Sequence, residues 1–189
     1  MKAIFKYGIV AFIVFSGIIG CESAIQSEGK TAVAPVAFMI CGSNFAWGRY
    51  FNFTYYDTCG ASYSYSLDSN LDKVSTLIGT DSITADGIAQ LQKFCTKNTT
   101  SVSKDTIIRM RQLALNLDTG NHAEPLNCGA DIGSINYCAY VYDRNHDWYS
   151  RVVLFQTGDV WLINLSPSAD TICQWLVGPT YNTNPCNRQ

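Results

Sequence analysis

Three β-rich runs stand in succession in the C-terminal third of the chain: "INYCAYVY" from Ile135, "WYSRVVLF" from Trp148 and "DVWLINL" from Asp159. They are separated only by "DRNHD" and "QTG". Connections of three to five residues fit β-hairpins, so this part reads as an antiparallel meander. Ser166-Pro167 then opens a short helix carrying Ile172, Trp175 and Leu176, stopped by Gly178-Pro179.

The middle of the chain carries the helical period instead. Leu67, Leu71, Val74 and Ile78 recur at helical spacing, with Ser66 as N-cap and Gly79 as the stop. A second helix is expected over Ser82 to Phe94, with Ile88, Leu91 and Cys95 on one face. A third has Ser103 as N-cap, Ile107, Met110, Ala114 and Leu117 as its stripe, and Gly120 as its end. Before these, "FAWGRYFNFTYY" (Phe45 to Tyr56) reads as one strand, or two broken at Gly48. "SYSYS" (Ser62 to Ser66) adds a short alternating segment. The expected fold class is therefore α+β: aromatic N-terminal strands, central helices, a C-terminal antiparallel meander, and disulfide staples. The 189 residues suffice for one domain, expected over residues 37–189.

The N-terminus points to export. Lys2 and Lys6 precede an apolar run from Gly8 to Ile19, too short for a membrane span and suited to a signal peptide over residues 1–20. Removing Lys2 and Lys6 from 13 basic residues leaves 11 against 15 acidic ones, a net charge of −4. No basic stripe remains, which argues against a nucleic-acid partner. Ile18-Ile19-Gly20-Cys21 then resembles the lipobox of bacterial lipoproteins, where a small residue precedes an obligatory cysteine. The resemblance implies lipidation at Cys21, a tether over residues 21–36, and placement in the cell envelope with the outer membrane favoured. It covers the signal segment alone.

An oxidising compartment gives the other cysteines a first reading as disulfide partners. Sequence proximity pairs Cys41 with Cys59, Cys128 with Cys138 and Cys173 with Cys186, leaving Cys95 as a buried thiol on a helix face. The spacing offers no zinc site, and neither a metal nor a cofactor is expected.

Motifs for catalysis are sparse. Asp143, Asn145 and Asp147 have the D-x-N-x-D spacing of a calcium loop, but the sixth position is Trp148 and the twelfth Leu154, where Gly and Glu belong. A hairpin turn explains them better. Ser101 to Lys104 matches S-x-x-K without the accompanying elements. The two histidines, His122 and His146, stand in polar loops with no nucleophile motif beside them. Trp47, Tyr55, Tyr63 and Tyr65 form a candidate aromatic platform for a carbohydrate or protein ligand. Three sequons, at Asn52, Asn98 and Asn164, matter only in a glycosylating pathway. The expectation is an envelope lipoprotein whose domain binds or scaffolds. The alternatives are a secreted disulfide-bonded hydrolase using His122 or His146, and a secreted effector or inhibitor without lipid.

Overall fold

The centre of the sheet is a segment to which the sequence reading assigns no element. Strand β1 (Val36–Asn44) pairs antiparallel with β2 (Tyr50–Tyr56) on one side and β7 (Ser134–Asp143) on the other. Its first four residues are all buried, because both faces of a central strand are covered. Such a strand reads as a continuous apolar run without alternation, and "VAFMIC" is one. In this computed structural model the described residues are 36–46, 48–66, 70–78, 81–143, 145–178 and 186. The expected signal peptide, the tether up to residue 35, Cys21, Trp47 and the Gly79 stop lie outside them.

The fold is α+β. The sheet runs β5-β3-β2-β1-β7-β8-β9-β6, with β3 (Ala61–Ser66), β5 (Thr96–Ser101), β6 (Leu126–Asn127), β8 (Trp148–Gly158) and β9 (Val160–Ile163). Every pairing is antiparallel. The meander expected from the sequence is β7-β8-β9. Strand β4 (Ser82–Thr84) lies off the main path and pairs with the start of β8.

Side-chain alternation along the strands sends two sets of residues to opposite faces. On one face Met39, Phe53, Tyr55, Tyr65 and Tyr140 pack beneath α1 (Leu71–Ile78) and α2 (Ala85–Lys93). On the other, Phe38, Ala139 and Leu154 pack beneath α3 (Lys104–Ala114) and α4 (Pro167–Val177). The result is three layers, with one helix pair on each side of the sheet.

Helix boundaries follow the caps. Ser103 Oγ accepts the Thr106 N–H at 3.2 Å, starting α3 where expected, but the helix ends at Ala114 instead of Gly120. The expected second helix loses its first three residues to β4. Thr84 ends that strand and caps α2, its Oγ1 accepting the Gly87 N–H at 3.0 Å. Ser66 is the last residue of β3 and no helix cap. Helix α1 starts at Leu71, after Asn70 has accepted the first backbone bonds, and keeps the expected buried stripe of Leu71, Val74 and Ile78. Strand β5 ("TKNTTS") is polar throughout and escapes a hydrophobic pattern because it is a solvent-facing edge, with Lys97 on it.

The cysteine pairing is corrected by the fold. Cys128 bonds to Cys186, enclosing the meander and α4. The expected Cys128–Cys138 and Cys173–Cys186 bridges are therefore not formed. Cys138 points from β7 into the α1/α2 side of the core and Cys173 is buried beneath α4, so neither reaches a surface loop. Cys41 carries a thiol on β1, and Cys59, in the β2–β3 turn, is in a disulfide with another partner. The Cys41–Cys59 pairing is not formed either.

One glycine in this frame is irreplaceable on steric grounds. Gly158 has φ +118°, and a Cβ there would collide with the carbonyl oxygen of Gly133. Gly158→Ala is expected to destabilise the fold by about 2 kcal/mol or more, measured by urea denaturation.

Candidate functional site

The β7–β8 hairpin closes through a turn with its own hydrogen-bond plan. Asp143 ends β7; its Oδ1 accepts the Asn145 N–H at 2.8 Å, and its Oδ2 lies 2.7 Å from His146 Nδ1. Asp147 takes φ +54°, a left-handed turn conformation that Asp tolerates, and its Oδ1 accepts the Tyr142 hydroxyl at 2.6 Å. The two carboxylates thus serve different partners, as a turn requires. The imidazole of His146 lies flat on Trp148, with ring centroids 4.8 Å apart and 14° between planes. Trp148 is 38% exposed.

A cavity of about 350 Å³ opens beside this turn. Its floor is the α3-side face of the sheet, where Val141 stands opposite Ser150 and Val152 follows on β8. Its wall is the end of α3 and the loop beyond, from Ala114 through Leu115 and Leu117 to Thr119. Tyr142 and Asp143 complete the rim. The lining is mainly apolar, with Thr119, Tyr142, Asp143 and Ser150 as its polar members. Ligand sites have this composition, and the volume is at the lower end of their range.

Bonding from His146 and from the Asn145 amide holds the Asp143 carboxyl below the usual carboxylate range, so it stays ionised at neutral pH. The shift has a testable sign. Asp143 should titrate at lower pH in the native protein than His146→Ala permits, as followed by the carboxyl carbon resonance. The turn contact should be present above that titration and lost as pH falls through it.

The candidate residues from the sequence are not brought together. Tyr55 and Tyr65 are buried in the α1/α2 side of the core at 1% and 3% exposure, and Tyr63 is half-buried, tilted against Tyr55. The aromatic platform is thus largely core packing, because the even-numbered spacing of a strand turns these rings inward. His122 does not meet His146. Its Nε2 lies 3.0 Å from the Val153 carbonyl, five residues along β8 from Trp148, about 17 Å at the usual rise per residue. There it fills the gap on the β8 edge between β4 and β9. The carbonyl only accepts, so Nε2 carries the proton. His122→Ala should cost about 1–2 kcal/mol in urea denaturation by leaving that carbonyl unsatisfied. Ser150 lines the cavity near Asp143, yet no hydrogen bond joins it to His146 among the described residues. The Asp–His pair has no nucleophile in reach.

The remaining thiols are quiescent. Burial pushes Cys41 and Cys95 up to about 11 and Cys138 up to about 12. Cys95 Sγ also donates to the Leu91 carbonyl at 3.1 Å. The thiolate is the nucleophile, so a neutral thiol reacts slowly. Native protein at pH 7.5 should leave these three unmodified by iodoacetamide, with alkylation following only on unfolding, as read by peptide mass. Asn164, one of the three sequons, is 2% exposed and donates through Nδ2 to the Asp118 carbonyl at 2.8 Å. The folded domain has no room for a glycan there.

The fold and site together define an α+β domain with a small, apolar, acid-rimmed cavity. No family model matches the chain, and no curated protein and no solved structure is significantly similar to it.

Proposed function

We propose that this chain is a cell-envelope lipoprotein, anchored through Cys21, whose domain binds a ligand in the cavity beside the β7–β8 hairpin without transforming it. The carrying observation for binding is the cavity itself, lined mainly by apolar residues with a few polar groups among them. The anchor rests on the apolar run ending in Ile18-Ile19-Gly20-Cys21. From Cys21 to Val36 the chain can span at most about 50 Å, enough to hold the cavity clear of a bilayer surface. No helix among the described residues is long and apolar enough to cross a membrane.

A second reading, the secreted effector or inhibitor without lipid, fits the disulfide bonding of the domain equally well. Cys59 is disulfide-bonded, while Cys128 and Cys186 bond each other and Cys41, Cys95, Cys138 and Cys173 carry thiols. Metabolic labelling with an alkynyl fatty acid separates the two: the lipoprotein takes up label and sediments with membranes, and Cys21→Ser does neither. Unlabelled protein in the soluble fraction would support the secreted form.

A further inference from the structure

We infer that the cavity beside the β7–β8 hairpin takes a primary alkylammonium group, with its hydrocarbon chain inside and its charge at Asp143. The inference deepens the binding reading above and rests on it. It concerns the site alone and not the anchor, so either form of the protein can test it.

The lining sorts by polarity and charge. Ala114, Leu115, Leu117, Val141 and Val152 provide hydrocarbon surface, against which a chain of four or five methylenes is removed from water. Four polar residues accompany them: Thr119, Tyr142, Asp143 and Ser150. Asp143 alone among the described lining residues is charged. Its carboxylate is 34% exposed and is kept ionised by the Asn145 amide and His146. Each oxygen accepts one of those bonds and retains capacity for another, since a carboxylate offers about four acceptor positions. No lysine or arginine is among the described residues that line the cavity. His146 is bound to Asp143 and stacked on Trp148, which fixes the carboxylate in orientation. The Ser150 and Thr119 hydroxyls can each accept from an ammonium, whose three N–H donors need three acceptors. An anionic ligand would meet this carboxylate, whose partner His146 is already bonded to it. A neutral sugar would leave the apolar interior without a partner.

Two sources supply such a group, a free aliphatic amine and the side chain of a lysine on a partner protein. The chemistry is shared, and the experiment distinguishes them. The mature chain carrying Cys21→Ser is titrated with n-pentylammonium, 1-pentanol and pentanoate, with backbone amide shifts as the readout. Two tripeptides follow, one with central lysine and one with central norleucine. Saturable shifts confined to residues 115–119 and 141–150 are expected for pentylammonium. Pentanol should bind about tenfold more weakly, and pentanoate should give no saturation. Asp143→Asn preserves the acceptor for the Asn145 amide and should reduce pentylammonium binding to the level of pentanol. The lysine peptide binding tighter than pentylammonium, and tighter than the norleucine peptide, assigns a protein source; the reverse order assigns a free amine.

Equal binding of amine and alcohol, or of amine to wild type and Asp143→Asn, overturns the ammonium assignment and leaves the cavity as a binding site. Absence of shifts from both amine and alcohol, in protein whose amide spectrum is folded, overturns the binding reading itself.

Discussion

Phe38→Ala should lower the unfolding free energy by about 4 kcal/mol, the usual cost of deleting a fully buried ring. Phe38 has 0% exposure and lies on the strand that is hydrogen-bonded on both sides. Its ring meets Trp175 of α4 edge to face, 5.0 Å between centroids and 82° between planes. The substitution therefore removes the main apolar link between the central strand and the outer helix. A domain of this size should lose about 12 °C in melting temperature. A stable protein usually has about 5–15 kcal/mol in hand, so much of the margin goes at once. Urea denaturation checks it: the midpoint falls while the slope holds. A loss below about 1 kcal/mol would mean that Phe38 is not in the core.

Replacing both Cys128 and Cys186 by serine should cost about 4 kcal/mol in the chain-entropy account, given their separation of 58 residues. The bond closes a loop that contains β7, β8, β9 and α4, three of the nine strands and one of the two helices of the α3/α4 layer. Without it the unfolded chain regains that freedom. The double variant is preferable to a reductant, which would also open the bond at Cys59. A melting temperature unchanged from wild type in the double variant would show that the staple contributes nothing.

Much of this architecture is legible in residue order, and the parts that are not have definite causes. The meander announces itself because its runs are β-rich and its loops short. Helices α1, α3 and α4 follow from their apolar stripes, and α3 and α4 also from Ser103 and from Ser166-Pro167 at their starts. Strand β1 is hidden because burial on both faces erases the alternation that marks a half-buried strand. Strand β5 is hidden for the opposite reason, since an exposed edge needs no apolar face. Strand β4 takes the first three residues of an otherwise helical pattern, because tertiary pairing with β8 overrides local preference. Disulfide partners were sought by nearness in sequence, yet Cys128 finds Cys186 across four elements while Cys138, ten residues away, is sealed in the core.

The site was partly legible. "YDRNHDWYSR" stands out as a turn rich in oxygens and rings, and the Asp143–His146 pair lies there. Its cavity wall was not visible, because Leu115, Leu117 and Thr119 belong to a different segment and arrive only through packing. The tyrosines proposed for binding carry no mark that separates a core ring from a surface one. Tyr55 and Tyr65 turn inward with the alternation of their strands.

The central claim, an anchored binding domain, is tested most directly by peptide mass mapping of the native protein taken from its own cells without reduction. The account predicts a mature N-terminal peptide beginning at Cys21 and heavier by a diacylglyceryl group, with the Cys128–Cys186 pair recovered as a linked peptide. An N-terminal peptide with no acyl mass on Cys21 would contradict the anchor.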